Sequence, residues 1–342
     1  MALTFIEKYG DPQPHKLWAS DHQPKELNDI IGNTMIVETL QSYLQNEKIP
    51  NLIFYGPNGC GKTTVSRILS EKYLGKYHKI CNMEVIGSIY RGKNVVTEKN
   101  DKKKTADKSS DCPNIVNFIR KTVLLPDNKC KIVTIYDFDC MTTEAQMALR
   151  RIIEIYSHKV RFIFICNDLN NVIEAIQSRT IPFKFNSISI DDIKSRLHEI
   201  AEINKIELSD EIYDSIAIMS NGDLKQGINC LQVFASCKEK SLKNFYHLFN
   251  IPSLKTVQEL IDDCIKKNSS KAFEVMTRLI NNGYNISDIL DIIIKVLSYS
   301  KNLTDRQRVS FIEETTKVIC INEISPSTTH LYKLLVQFIN KS

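Results

Sequence analysis

The sequence predicts an α/β fold with a parallel sheet in its first half and helices alone in its second half. Short apolar runs at 51–55, 131–136, 161–166 and 180–185 are separated by segments with helical periodicity, which is typical of parallel strands joined by crossover helices. After Phe185 apolar residues recur only at helical spacing. A glycine-rich turn directly after the first run indicates a P-loop nucleotide-binding core.

Length and composition are those of a folded protein with more than one domain. The 342 residues correspond to two or three domains at roughly 150 residues each. Hydrophobic residues make up 42% and charged residues 25%, which excludes disordered and collagen-like classes. No apolar stretch approaches the roughly 20 residues that span a bilayer, and the first residues do not read as a signal peptide. We therefore expect an intracellular protein without membrane contacts.

The spacing of the cysteines and the net charge limit which ligands and partners we expect. The ten cysteines are scattered singly, so reduced thiols are expected and a zinc site is not. The net charge of +5 permits a polyanionic partner without requiring one. Segment 93–110 is predicted to be a solvated insertion between a strand and the next helix, with a nucleic-acid contact as the alternative. It contains Lys93, Lys99, Lys102, Lys103, Lys104 and Lys108.

The strongest local motif is a G-x-x-x-x-G-K-T turn between the first apolar run and a helical pattern. Backbone N–H groups of such a turn surround phosphate oxygens, Lys62 reaches the β- and γ-phosphates, and the Thr63 hydroxyl ligates Mg²⁺. ATP and Mg²⁺ are therefore the expected cofactors. The predicted phosphate-binding residues are Gly56, Pro57, Asn58, Gly59, Cys60, Gly61, Lys62, Thr63 and Thr64.

A second strand that ends in carboxylates completes the expected nucleotide site. Asp137 and Asp139 follow the apolar run 131–136, where a P-loop protein holds Mg²⁺ and positions a water. An ordinary acidic strand end is the alternative. We take Asp137 as the candidate catalytic carboxylate and, with Thr63, as the candidate metal ligand.

The second half is predicted to form two helical domains. Ser189 with Asp192 three residues later indicates a helix N-terminus, Ser209 indicates another, and Asn221-Gly222 precedes a helix at 223–236. The predicted domains are a nucleotide-binding domain at 1–186, a small helical domain at 187–243 and an all-α assembly domain at 244–342.

Further motifs resemble a known family. Met141-Thr-Thr-Glu-Ala-Gln-Met-Ala-Leu-Arg-Arg151 is followed by Tyr156-Ser157, Arg161-Phe162, Cys166-Asn167 and Gln177-Ser-Arg-Thr180. With these motifs the chain resembles the small subunits of replication factor C, the clamp loader of the AAA+ ATPase superfamily, over about residues 18–232.

The start of the chain resembles the same family. Trp18-Ala-Ser-Asp-His-Gln-Pro24 and Leu27-Asn-Asp-Ile-Ile-Gly-Asn33 fit its first two motifs without a gap. Phe5-Ile-Glu-Lys-Tyr9 also looks like the first motif, but its distance from Gly32 is wrong. Core packing of Trp18 is the alternative to a motif role.

The resemblance implies an AAA+ core, a helical lid and a collar, and it assigns residue roles. Ile30 and Ile31 would flank adenine, Asn167 would be the sensor of the γ-phosphate, and Arg179 would be the finger that reaches a neighbouring subunit's nucleotide. Lys225, in a segment that resembles the lid motif, occupies the place of a sensor arginine. A lysine keeps the charge and loses the planar, two-pronged geometry.

The resemblance also implies contacts with DNA. Arg150 and Arg151 lie in the stretch that couples DNA to the nucleotide sites in the family, with structural salt bridges as the alternative. Ser110-Asp111 fits a family motif upstream of Arg120 and Lys121, which would contact the template backbone. A solvated helix face is the alternative for these two residues.

The sequence departs from the family at the second carboxylate motif. In the register that keeps Met141-Thr142, Tyr136 replaces the family's magnesium aspartate and Asp137 replaces its catalytic glutamate. A neutral phenol is a poor magnesium ligand, and a one-residue slip would place Phe138 at the glutamate position. Both registers predict slow hydrolysis at this chain's own site. The altered carboxylate motif and the insertion at 93–110 together also resemble one type of small subunit, which has an altered Walker B motif.

The predicted function is therefore that of a small subunit in a hetero-pentameric clamp loader. Such a machine uses ATP to open a PCNA-like sliding clamp and to load it onto primer-template DNA during replication. A scaffold subunit that holds nucleotide and supplies Arg179 is the alternative, and a free-standing phosphotransferase fits the helical domains less well. The compartment would be a nucleus, an archaeal cytoplasm or a viral factory.

Overall fold

The first half of the chain forms one sheet of five parallel strands, which confirms the predicted α/β class. The computed structural model describes residues 17–92, 114–121, 123, 126, 129–237, 239–299 and 303–341. The strands are β1 (Leu52–Tyr55), β2 (Asn82–Ile86), β3 (Lys131–Tyr136), β4 (Val160–Cys166) and β5 (Ile181–Lys184). Their order is β2-β3-β4-β1-β5, and each neighbouring pair is parallel.

Four strands coincide with the predicted apolar runs, and β2 does not. Only Val85 of β2 is fully buried, and the polar residues Asn82 and Glu84 interrupt its apolar residues. An edge strand with polar residues lacks the continuous apolar pattern of a strand buried on both faces. The sequence therefore predicts the positions of the central strands more accurately than the position of β2.

Helices cover both faces of the sheet, as alternating side chains of buried strands require. Ile53, Val133 and Phe164 point into one core with the helices after residues 114 and 142, and Phe54 and Ile163 point into the other. The helices of this half are α1 (Trp18–Asp21), α2 (Thr34–Gln45), α3 (Lys62–Leu74), α4 (His78–Cys81), α5 (Ile115–Arg120), α6 (Thr143–Ile155) and α7 (Glu174–Gln177).

The second half is helical throughout its described residues, as predicted. Ser189 caps its first helix by accepting a hydrogen bond from the backbone N–H of Asp192 (3.2 Å), which is the predicted start signal. The helices are α8 (Ile190–Ile203), α9 (Asp210–Ser220), α10 (Leu224–Ala235), α11 (Leu242–Leu248), α12 (Leu254–Ile265), α13 (Ser269–Asn281), α14 (Ile286–Tyr299), α15 (Asp305–Ile324) and α16 (Thr329–Lys341).

The chain divides into two compact units. One contains residues up to 205 together with 219–232, and the other contains 206–218 and the residues from 233 onward. The core of the second unit is formed by α12 to α16 and includes Leu260, Met276 and Phe338. The three-domain division stays a prediction.

Several predictions fall on residues that the structure does not describe. The insertion 93–110, Ser110-Asp111 and Phe5-Ile-Glu-Lys-Tyr9 lie outside the described residues. In the described part of the chain, the nine cysteines are free, and no helix there has the length and apolar character to cross a membrane.

A buried amide joins α6 to the segment before α7. Gln146 is fully buried, and its amide nitrogen donates to the carbonyls of Met141 (3.2 Å) and Asn171 (3.0 Å). Its amide oxygen accepts from the backbone N–H of Ile173 (2.9 Å). One buried side chain thus pairs with three backbone groups, those of Met141, Asn171 and Ile173.

We expect Gln146→Leu to lower the free energy of unfolding by about 3 kcal/mol, because it leaves those backbone groups without partners. Urea unfolding followed by circular dichroism measures this change. The control is Gln45→Leu at the exposed end of α2, for which a change within about 0.5 kcal/mol is expected. Equal stability of the two variants would contradict the prediction.

Candidate nucleotide site

The P-loop lies between β1 and α3, and contacts across the loop depend on its glycines. Gly56 has φ 140° and Gly59 has φ 66°, and a Cβ at Gly56 would collide with the carbonyl oxygen of Phe185. Lys62 is buried at the first position of α3, and its Nζ donates to the carbonyl oxygens of Gly56 and Pro57 (2.6 Å each). The loop thus holds a desolvated ammonium beside its backbone, at a helix N-terminus that suits anions.

Cys60 occupies a variable position of this loop and is buried there. Burial raises the pKa of the Cys60 thiol, and the nearby Lys62 ammonium partly offsets this effect. The sulfur lies 2.9 Å from the carbonyl oxygen of Pro57. Cys60 therefore packs as a neutral thiol that helps to close the loop.

The end of β3 presents Asp137 to the pocket and directs Tyr136 elsewhere. Asp137 has φ 48°, lines the same pocket as Lys62 and Thr63, and accepts a hydrogen bond from Ser88 Oγ (2.8 Å). Tyr136 packs against the core between the sheet and α3. Burial of the phenol, with the Glu84 carboxylate nearby, raises the pKa of Tyr136 well above its usual range, so the phenol stays neutral.

The end of β4 places Asn167 in the same pocket. The second carboxylate after β3, Asp139, accepts hydrogen bonds from the backbone N–H groups of Asn167 (3.1 Å) and Asp168 (3.3 Å). Asp139 is therefore committed to positioning the Asn167 segment, while Asp137 faces the pocket.

A helical wall closes the pocket opposite the sheet. Asp223, just before α10, packs so closely on Gly59 that a Cβ there would collide with its carboxylate, and Lys225 follows on the pocket side. The pocket has a volume of about 590 Å³, which suits a ligand of nucleotide size. Its lining includes Asn58, Gly59, Cys60, Gly61, Lys62, Thr63, Thr64, Ile30, Ile31, Asp137, Asn167, Ile188, Arg196, Lys225, Ile228 and Asn229.

Arg179 lies outside this pocket and forms an ion pair. Its Nη2 is 2.6 Å and its Nε 2.8 Å from Oε1 of Glu154, and its Nη1 donates to the carbonyl of Ala175 (2.8 Å). Arg150 shares the same carboxylate oxygen at 3.3 Å. The hydrogen bond from Arg150, with the charge of Arg179, lowers the pKa of Glu154. The carboxylate thus stays ionised between two guanidinium groups.

The candidate DNA contacts lie on α5 and α6, whose apolar sides share one core. Arg120, Lys121, Arg150 and Arg151 are exposed. The end of α5 is held by buried Lys131, whose Nζ donates to the carbonyls of Phe118 (2.7 Å) and Ile119 (3.3 Å). A cation at a helix C-terminus satisfies carbonyls that have no partner within the helix.

Two contributors to this arrangement belong to no motif, and a third makes a contact that its motif does not predict. Arg196 reaches the pocket from α8 and donates to the carbonyl of His22 (3.1 Å), and only the folded chain brings 196 and 22 together. Glu154 pairs with a residue 25 positions away. Asp223 belongs to the segment that resembles the lid motif, yet its contact with Gly59 is not visible in the sequence.

Comparison with known proteins gives the same family over most of the chain. Two family models match: "DNA polymerase III, delta subunit" over residues 32–189 and "Replication factor C C-terminal domain" over 252–324. A probable replication factor C subunit 2 of Dictyostelium discoideum is 32% identical, over 87% of this chain and 84% of the relative. A replication factor C small subunit of Sulfurisphaera tokodaii is 30% identical, over 87% and 86%.

A solved structure supports the fold alone. RuvB of Thermotoga maritima superimposes with a TM-score of 0.52 at 14% identity, over 70% of this chain and 79% of that one. The parallel sheet, the P-loop after β1 and the helical second half agree with an AAA+ P-loop fold. On the identity and coverage of its relatives, the chain belongs to the replication factor C small-subunit family.

Proposed function

We propose that this chain is a small subunit of a clamp loader that uses ATP to open a PCNA-like sliding clamp and to place it on primer-template DNA. The observation that carries the proposal is one pocket lined by Lys62, Asp137, Asn167 and Lys225 in a chain of the replication factor C family. The remaining subunits of a hetero-pentamer are the other partners.

The residues present fit ATP and Mg²⁺. The backbone N–H groups of the P-loop and the Lys62 ammonium bind the phosphates, and Ile30 and Ile31 offer an apolar surface to the base. Thr63 and Asp137 are the oxygen donors for Mg²⁺, which prefers hydroxyl and carboxylate oxygen. ATP supplies binding energy and a cleavable phosphoanhydride when bound. Lys225 adds positive charge from α10.

Turnover at this chain's own site is proposed to be slow. A family site uses two acidic residues at the end of β3, whereas here Tyr136 is half-buried and neutral and Asp139 holds the segment at Asn167. Asp137 remains as the carboxylate facing the pocket, and one group cannot both ligate Mg²⁺ and position a water as two do.

Arg179 is proposed to act on a neighbouring subunit's nucleotide. The two short contacts to Glu154 and the Ala175 carbonyl fix its guanidinium outside the chain's own pocket. A cation placed in trans on transferring phosphoryl charge contributes about 10³- to 10⁵-fold in rate. Glu154 is proposed to be the positioning residue for this cation.

Binding of ATP by the isolated chain is expected to depend on Lys62. Because Lys62→Ala removes a charged hydrogen-bond donor, the dissociation constant should rise at least about 10-fold. Calorimetry with Mg²⁺ and a slowly cleaved ATP analogue measures it, with Lys72→Ala on the same helix as the control. Absence of heat from the wild-type chain, alone and in its assembly, would overturn the proposed function.

Arg179→Ala, in the subunit assembled with its sisters, should slow ATP cleavage at one neighbouring site by about 10³-fold or more. A single-turnover assay, stimulated by clamp and DNA, measures this loss, because the affected site appears as a missing fraction of the cleaved ATP. Glu154→Gln should give a smaller loss, because the Ala175 carbonyl still holds the guanidinium. Exposed Arg278→Ala on α13 is the control. Unchanged cleavage in the Arg179 variant would refute the trans role.

DNA affinity of the assembly should be electrostatic. If Arg150 and Arg151 contact phosphates, each alanine substitution should weaken binding equally for all DNA sequences. It should also reduce by about 1 the slope of the logarithm of the binding constant against the logarithm of the salt concentration. Fluorescence anisotropy over a range of salt concentrations measures both effects, with exposed Lys271→Ala as the control. Base-specific binding with no salt dependence would contradict this electrostatic mode of DNA binding.

A further inference from the structure

One wall of the pocket is formed by residues 17–24, which we call the N-terminal strap. Each of its pocket-lining residues is half-buried or exposed, so the strap presents accessible surface to a ligand in the pocket. These residues are Leu17, Ala19, Ser20, His22, Gln23 and Pro24.

Two helices hold the strap in place. Gln232 of α10 accepts a hydrogen bond from the backbone N–H of Trp18 (3.0 Å). Arg196 of α8 donates through Nη2 to the carbonyl oxygen of His22 (3.1 Å). Asn204, at the C-terminal cap of α8, places its Nδ2 3.2 Å from Nε2 of His22. The strap therefore depends on contacts with residues more than 170 positions away in the chain.

The strap is attached away from the P-loop. The helices α8 and α10 start side by side, where the backbone N–H of Ile188 donates to the carbonyl of Gly222 (3.4 Å) and Asp223 packs on the P-loop. Arg196 lies six residues after the start of α8, about 9 Å along its axis, and Gln232 lies eight residues after the start of α10, about 12 Å. A nucleotide with its phosphates in the P-loop therefore has its nucleoside end beside the strap.

The guanidinium of Arg196 is committed to the protein. An arginine that lines a nucleotide pocket would ordinarily be assigned to phosphate, which its planar fork suits. Here Nη1 of Arg196 is 2.6 Å from Oε2 of Glu199, three residues later on the same helix, and Nη2 binds the His22 carbonyl. Because Glu199 neutralises its charge, Arg196 adds little positive potential to the pocket.

We propose that Arg196 is a positioning residue that fastens the N-terminal strap at the nucleoside end of the pocket and does not bind phosphate. This inference rests on the proposed function, because it requires that the pocket bind ATP. A strap that is fixed before the ligand arrives loses less conformational entropy on binding. Affinity for the nucleoside should therefore depend on Arg196, and affinity for the phosphates on Lys62.

The first test separates the two ends of the ligand. Titration calorimetry with Mg²⁺ compares a slowly cleaved ATP analogue with inorganic tripolyphosphate, which has no nucleoside. Arg196→Met should weaken binding of the ATP analogue about 10-fold and change that of tripolyphosphate by about 2-fold or less. Lys62→Ala should weaken both. Arg278→Met, which removes an exposed guanidinium on α13, is the control and should change neither.

The second test observes the strap directly. Trp18 is the only tryptophan of the chain, and its ring meets that of His22 edge to face with centroids 6.5 Å apart. Without ligand, Arg196→Met should increase the quenching of Trp18 fluorescence by acrylamide and shift its emission to the red. Arg196→Lys keeps a donor for the His22 carbonyl, so it should recover part of both the shielding and the ATP affinity.

A variant on the other helix secures the test if Arg196→Met does not fold. Gln232→Leu removes the acceptor of the Trp18 N–H group and should give the same pattern of losses. Circular dichroism confirms that each variant compared is folded.

The inference and the proposed function fail in different ways. Unchanged Trp18 quenching and ATP affinity in folded Arg196→Met would overturn the role of Arg196 and leave the nucleotide site intact. An equal loss of affinity for the ATP analogue and for tripolyphosphate would make Arg196 a phosphate ligand, and the inference would be wrong. Absence of ATP binding by the folded wild-type chain would overturn the proposed function and the role of Arg196 together.

Discussion

The parallel pairing of β4 between β3 and β1 is the constraint on which the candidate site depends. Because neighbouring parallel strands end at the same edge of a sheet, the residues that follow them meet there. This brings together Lys62 after β1, Asp137 after β3 and Asn167 after β4, although the first and last of these are more than 100 residues apart in the chain. Apolar side chains on both sheet faces fix the strands, and the polar groups follow from that packing.

The helical wall is positioned by a second contact, between Asp223 and Gly59. Since a side chain at Gly59 would exclude the Asp223 carboxylate, the glycine serves the approach of α10 as well as the turn of the loop. The same carboxylate accepts the backbone N–H of Gln226 (2.9 Å) and so caps the start of α10. One aspartate therefore sets both the distance of the wall and the direction of its helix.

Local patterns predict much of this fold, and long-range contacts account for what they miss. The apolar runs indicated β1, β3, β4 and β5, and Ser189 marked the start of α8, because each signal lies within a few residues of the structure it specifies. Edge strand β2 lacks such a pattern. Of the predicted P-loop residues, those from Asn58 to Thr64 line the pocket, whereas Gly56 and Pro57 are not part of its lining. Glu154 beside Arg179 and Arg196 beside His22 depend on how separate elements pack, which no local pattern encodes.

The proposed separation of nucleotide binding from turnover depends on Tyr136. At the last position of β3, the half-buried phenol packs against the core between the sheet and α3, beside Ser66 and Glu84. The P-loop, Asn167 and α10 are positioned by other contacts. The slow turnover that we propose would therefore leave the candidate nucleotide pocket itself intact.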